Sequence, residues 1–353
     1  MSRLLTRNDF RERVFERDGY RCVFCNRAAD ETPEGKLDAH HIIERRLFTA
    51  VHELGGYFVD NGVTVCEDHH KECEATTITC DDVRDAAGIS KIILPSYFYN
   101  DQPVDKWGNP IMANGMRLKG PLFYDESVQK IISPVLHLFS KYVKYPRTSH
   151  LPWSAGIHSD DRVIETLDHF IGQEVVATVK NDGENTTVYN DYLHARAIDG
   201  LPHASRNWVK NFAANWQHAL SDDQRICGEN MFAQHSIVHD ENNPLPDYFL
   251  GFSMWDGNTC LAWDETLENF EILGITPTQT LWRGVFDENA IKALYDEQSD
   301  WNTREGYVVR LTNSFTFDRF KYSVAKYVRA NHVQTLKHHW RAQKIVPNFV
   351  GES

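Results

Sequence analysis

Two pairs of metal-binding residue types near the start of the chain constrain its folding more than any other feature. Cys22 and Cys25 form a CxxC pair after an arginine-rich segment, and Cys66 and His69 form a CxxH pair about 40 residues later. Each pair turns two donors toward one point, so the spacing predicts a tetrahedral zinc site that closes the loop between them. Cys73 is the alternative to His69 as the fourth ligand. Five of the seven cysteines fall within the first 80 residues, and an odd total in a chain expected to be cytosolic argues against a disulfide framework.

The 353 residues are enough for two or three domains, each able to bury a core. The N-terminal segment alternates charges and has no apolar stretch of signal-peptide length. No run of about 20 apolar residues occurs elsewhere, so a cytoplasmic location without a membrane partner is expected. With 37 basic and 50 acidic side chains the net charge is -13, which taken as a whole disfavours phosphate contacts. Local sums differ. Residues 1–27 hold seven arginines against four acidic residues, and Arg319 to Lys344 hold seven basic side chains and no acidic one. His332, His338, His339 and Trp340 lie inside that second stretch, where Val333, Leu336 and Trp340 mark one face of a helix that also carries Lys337, Arg341 and Lys344. Such a stripe suits tracking of a nucleic acid backbone.

The expected organisation is a metal-binding module at 1–80, a helical connector at 81–144 and a larger domain at 145–353. In the connector, Ile131, Ile132, Val135, Leu136 and Phe139 have helical spacing, interrupted by Pro134. Val163, Ile164, Leu167 and Phe170 suggest a further helix, while Glu174 to Lys180, Tyr248 to Trp255 and Tyr307 to Leu311 have strand composition. The fold class expected is α+β.

Between the two metal-binding pairs stand Asp38, His40 and His41, followed by Asn61 and, directly after His69, His70. The order CxxC, DxHH, Asn and CxxHH resembles the HNH endonuclease family with its ββα-metal fold, over about residues 10–75. It departs at His69, where the family has Cys, and at Glu74, where a further His is common. The resemblance implies that His41 is the general base that activates water, that His40 and His70 hold a divalent cation against the scissile phosphate, and that Asn61 positions the His41 loop. Imidazole can take a proton near neutral pH, and a metal can neutralise phosphoryl oxygens. A zinc-stapled module that binds nucleic acid without cutting it is the other reading.

Lys180-Asn181-Asp182-Gly183-Glu184-Asn185 closes the strand-like EVVATVK segment. Cys227-Gly228-Glu229-Asn230, the aromatic segment around Phe252, Glu305-Gly306-Tyr307 and finally Lys321 and Lys326 follow in order. An amine that attacks phosphorus must be deprotonated, so a nucleophilic lysine requires a lowered pKa, which burial at a strand end and a nearby divalent cation would supply. The ordered set resembles the covalent nucleotidyltransferases, the superfamily of ATP-dependent DNA and RNA ligases and messenger RNA capping enzymes, over about residues 145–330. That resemblance implies antiparallel sheets with flanking helices and AMP linked to Lys180. It implies that Asp182 and Glu184 orient nucleotide and metal, Glu229 holds the ribose hydroxyls and Phe252 stacks on adenine. Glu305 would bind magnesium or manganese, Lys321 and Lys326 would contact the α-phosphate and the leaving pyrophosphate, and Arg206 would receive the 5′-phosphate of the strand to be joined.

Capping enzymes and most DNA ligases carry an OB-fold after the last lysine motif, and 27 residues after Lys326 leave no room for one. The Tyr145 to Trp153 segment, the KNDGEN form and the SVAKYVR ending look most like the RNA ligases of phages and bacteria, which would place a phage-encoded protein in its host's cytoplasm. The expected activity is ATP-dependent joining of 3′-hydroxyl and 5′-phosphate ends, RNA or RNA-containing strands preferred, in a nucleic acid repair setting. DNA nick sealing, a nuclease with a nucleotide-binding C-terminal half, a cap guanylyltransferase and a non-catalytic end-binding factor are the alternatives. Oligomeric state is not readable from the residues.

Overall fold

The structure, a computed structural model, describes residues 3–98, 102–159, 161–198, 203–296, 300, 303–330 and 345–351. The expected C-terminal helix, with Lys337, Trp340, Arg341 and Lys344, lies outside the described residues. The chain forms two compact units, Met1–Val143 and Lys144–Ser353. Among the described residues, no helix is long and apolar enough to cross a membrane.

In the first unit, Thr6 caps helix α1 (Arg7–Arg17) by accepting from Asp9 N, and the helix buries Phe10 and Val14. They rest against an antiparallel pair, β1 (Asp38–His41) and β2 (Gly62–Val65), in which His41 lies opposite Gly62. A Cβ at residue 62 would lie 2.4 Å from Phe10 Cζ, so the hairpin meets the helix only because this position is glycine. Helix α2 (Glu67–Glu74) follows β2 with Cys66 at its N-cap. The order is therefore β, β, α.

Residues 81–143 are not a separate helical connector. Helix α3 (Cys80–Ala86) brings Cys80 and Val83 into the same core as Ile42, Phe48 and Val63, and Phe98 joins them. The Arg117 guanidinium donates to Thr76 O at 2.9 Å and pairs with buried Asp105 at 3.3 Å. Trp107 Nε1 donates to Glu74 O at 2.8 Å, and its ring packs with Phe123, Val128, Ile132 and Val135. The run with helical spacing forms only α4 (Glu126–Ile131), followed by a tighter 3₁₀ turn at Ser133–Leu138. Pro134, at the start of that turn, has no N–H to continue an α-helix.

Among its described residues the second unit contains two sheets. One has strand order β11 (Thr280–Val285), β4 (Glu174–Lys180), β12 (Gly306–Leu311), β14 (Val324–Val328) and β3 (Ser149–His150). The other runs β13 (Phe315–Thr316), β9 (Thr259–Cys260), β8 (Phe249–Asp256), β7 (Gln224–Asn230), β5 (Glu184–Val188) and β6 (Leu193–Ala195), with β10 (Thr276–Pro277) parallel to β8. Apart from that pair and β14 with β3, neighbours are antiparallel. Cys227, Trp255, Phe315 and Val324, with partly buried Phe252 and Val308, form a core shared by the two sheets. Residues 161–170 form turns rather than the expected helix. Val163 bridges to His150, while Ile164 and Phe170 reach the core of the first sheet individually, so their spacing matched a helix by coincidence.

Replacing Trp107 by Ala should remove a buried indole and its hydrogen bond, at a cost of about 3–5 kcal/mol. Urea unfolding of the full chain should show the first unit's transition at lower denaturant and the second unit's unchanged.

Candidate functional site

The register of the first sheet places Lys180, the last residue of β4, opposite Gly306, the first of β12. Glu305 immediately precedes and donates its N–H to Lys180 O at 3.2 Å. The side chains then meet, Lys180 Nζ donating to Glu305 Oε2. A Cβ at residue 306 would lie 2.0 Å from Tyr327 O, so glycine is required for β12 to fit between β4 and β14. Lys326 on β14 is opposite Val308, itself opposite Thr178 on β4. Alternate strand residues share a face, so Lys326 projects on the same side as Lys180. Lys321 sits on the helical turn Phe320–Ser323 that leads into β14, with Nζ 4.7 Å from the Tyr322 ring centre.

After Lys180 the chain crosses from one sheet to the other in three residues. Gly183 passes so close to β7 that a Cβ there would meet Met231 Sδ at 2.6 Å and Asn230 O at 2.7 Å. This crossing sets Asn185 opposite Glu229. Asp182 is buried and accepts from Ile237 N at 2.8 Å, which anchors the loop after β7. Glu184 and Arg206, read from the sequence as nucleotide and phosphate contacts, are paired with each other. The guanidinium donates through Nε at 2.7 Å and Nη2 at 2.6 Å to the two Glu184 oxygens, and both side chains are buried. Arg206 also lines a cleft of about 290 Å³ with Tyr192, His194, Lys210 and Gln217, which Lys180 does not line. Phe252 occupies a β-bulge. Cys227 pairs with Ser253 and Gly228 with Gly251, so Phe252 is the extra residue, half-buried and edge-on to Tyr145 with ring centres 5.3 Å apart. Bulges re-aim a side chain in this way.

Electrostatics here run against one expectation. Burial alone would lower the Lys180 pKa, but Glu305, Glu229 and Asp182 outweigh it and hold the amine above its ordinary value. Burial pushes the Glu229 carboxyl up to about 8, with Lys180 opposing and Glu305 and Asp182 adding to the rise. Burial and the Lys180 charge bring Lys326 down to about 8. Glu305 adds to the rise at Glu229, a repulsion that a divalent cation beside the two would relieve.

In the first unit, ligand atoms of Cys22, Cys25, Cys66 and His69 all lie within 4.8 Å of one another, a donor set of three thiols and an imidazole that suits zinc. Burial, with Cys22 beside it, pushes the Cys66 thiol up to about 11, a crowding of thiols that a cation removes. Cys73 is elsewhere, packed in the core, its thiol pushed up to about 12 by burial. A second cluster joins His40, His70 and Glu74. His40 Nδ1 and His70 Nε2 each lie 3.3 Å from Glu74 Oε1, and Asp38 Oδ2 lies 3.6 Å from His70 Nδ1. Glu74, which the motif comparison treats as a departure, thus completes the cluster. The i,i+4 spacing from His70 on one helix was the signal that could have found it. His41 stacks on Phe10 with ring centres 4.6 Å apart, and its Nε2 is buried without a hydrogen bond. Burial, Lys106 and Arg45 bring its pKa down to about 3, so the ring is neutral. Asn61 clamps the following segment, accepting from Ile43 N at 3.0 Å and donating to Ile43 O and Gly56 O at 3.1 Å each.

Residues 173–328 match the RNA ligase family model. No curated protein matches the chain. Among solved structures the chain is similar to an Aquifex aeolicus protein described as a candidate ATP-dependent DNA ligase, at 18% identity and a TM-score of 0.37, covering 66% of this chain and 55% of that one. It is similar to an archaeal ATP-dependent RNA ligase at 16% identity and a TM-score of 0.37, covering 53% and 48%. A Naegleria gruberi RNA ligase shares 18% identity at a TM-score of 0.36, covering 80% and 74%. The chain thus spans about half the length of the first two.

The raised Glu229 pKa has a consequence for stability. A carboxyl whose folded value is about 8 binds a proton in the native state that the unfolded chain has already released. Stability should therefore fall as pH rises from the ordinary carboxylate value toward 8. Thermal unfolding without added magnesium or manganese should show this decline, and Glu229→Gln should flatten it.

Proposed function

We propose that the second unit is an ATP-dependent polynucleotide ligase that joins 3′-hydroxyl and 5′-phosphate ends, with RNA or RNA-containing strands preferred. The observation that carries this reading is the meeting of Lys180 with Glu305 at the paired ends of two strands, with Lys326 on the same face, inside the stretch that matches the RNA ligase family. In the first step Lys180 Nζ attacks the α-phosphorus of ATP, a phosphorus–nitrogen bond forms and pyrophosphate leaves. AMP then passes from Lys180 to the 5′-phosphate of one strand. The 3′-hydroxyl of the other attacks that phosphate, and AMP departs. Lys326, and Lys321 just before it, supply positive charge along the phosphates, which is the main demand of phosphoryl transfer. Glu229 faces the ribose and Phe252, half-buried beside Tyr145, stacks on adenine. Glu305, with Glu229 beside it, would hold a magnesium or manganese ion, whose charge would offset both the phosphoryl oxygens and the carboxylates that keep Lys180 protonated. Asp182 and the Glu184–Arg206 pair act by fixing the turn on which Lys180 sits, and release of Arg206 from Glu184 would be needed for it to receive a 5′-phosphate.

For the first unit we infer an HNH-like nucleic-acid module stapled by zinc at Cys22, Cys25, Cys66 and His69. The second cluster supports a divalent site at His40 and His70, completed by Glu74, next to His41. Cleavage by this module is the reading that the buried, unbonded Nε2 of His41 favours. Its low proton affinity makes it a weak base until phosphate charge arrives beside it.

Incubation with α-labelled ATP and magnesium should label the chain, and Lys180→Ala should abolish the label. An unlabelled wild-type chain would remove the ligase reading. A chase with nicked RNA, DNA and hybrid duplexes ranks the strands, and a DNA-only chase would replace RNA joining by DNA sealing. Metal analysis should find one zinc per chain, lost in Cys22→Ser. A chain purified without zinc, or a variant that retains it, would refute the staple.

A further inference from the structure

Lys106 lies outside every motif that the sequence offers, yet it is 3% exposed and reaches into the second histidine cluster. Its ammonium is 3.1 Å from Glu74 Oε1, the same oxygen that His40 Nδ1 and His70 Nε2 each face at 3.3 Å. It also donates to the His41 carbonyl at 2.8 Å and stands 3.6 Å from Glu44 Oε2. The side chain is not free to swing away. Its turn is tied by Asp105, which accepts from Trp107 N at 2.9 Å and Asn109 N at 3.0 Å, and Lys106 O accepts from Glu44 N at 2.9 Å.

An ammonium only donates and cannot ligate a cation. A divalent ion entering this cluster therefore meets a resident positive charge on the carboxylate oxygen at its centre. We propose that Lys106 is a built-in counter-cation of the His40–His70–Glu74 cluster, which compensates half-buried Glu74 when no metal is bound and weakens divalent binding there. The inference rests on the reading of this cluster as a divalent site. Lys106 does not touch substrate in this arrangement and is a positioning residue. With its charge removed, Glu74 keeps both histidines and loses its only competing cation among the described residues. Repulsion between single and double positive charges a few ångströms apart corresponds to at least about tenfold in affinity even at a strongly screened dielectric.

The test is a Mn²⁺ titration of the zinc-loaded full chain, with free Mn²⁺ read by electron paramagnetic resonance. Wild type, Lys106→Met, Lys106→Gln and Glu74→Gln are compared, and the site in question is the one lost in Glu74→Gln. The expected result is that this site binds Mn²⁺ at least tenfold more tightly in both Lys106 variants, or is seen only in them. Lys106→Gln keeps a donor for the His41 carbonyl and decides the matter should Lys106→Met fail to fold. A Glu74-dependent site with wild-type or weaker affinity in the folded variants would overturn the role of Lys106 and leave the metal site standing. No Glu74-dependent Mn²⁺ in any protein would remove the metal site itself, and the proposal with it.

Discussion

The second unit depends on one backbone register. With Lys180 opposite Gly306, the end of one strand and the residue just before another bring an amine and a carboxylate together. A slip of one residue would turn Lys180 to the other face of the sheet, because side chains alternate along a strand. The glycine at 306 guards that register from the β14 side, and the one at 183 guards the crossing to the second sheet. What looks like a list of motif residues is thus two close approaches of backbone and one ladder of hydrogen bonds.

Both units bury charge, and they balance it in opposite ways. Around Lys180 the acidic groups Glu305, Glu229 and Asp182 outweigh burial, so the amine holds its proton. Around Glu74 burial is outweighed by the His40 and His70 nitrogens that face the carboxylate and by the Lys106 ammonium, so it stays ionised. A buried charge is tolerable only with a partner.

Much of the second unit was legible in the residues because period-two strands carry their motifs at their ends. EVVATVK, the aromatic segment before Trp255 and the segment after Glu305 all form strands near their expected bounds. The Phe252 bulge was not legible, since a bulge exists only relative to the register of its neighbour. Helical spacing misled twice. At 126–138 the proline that cuts the helix was in plain view, and at 163–170 the apolar residues reach a sheet face from turns. The pairing of Arg206 with Glu184 was hidden because each residue type also suits a ligand, and only proximity decides between them. In the first unit the sulfur donors were readable from spacing. Lys106 was not, because it approaches His41 from 65 positions away in sequence and carries no local pattern.

Helix α2 has an unusual division of labour. His69 points into the sulfur cluster, and His70, the next residue and about 100° around the helix, points into the other cluster with Glu74 one turn on. The helix is therefore an axle between two clusters of metal-ligating residue types. Its azimuth is set at one end by Cys66 and His69 and read at the other by His70 and Glu74. On the proposed zinc reading, a chelator that strips the sulfur cluster would release that axle, and the second cluster would lose its alignment without any of its own residues being touched.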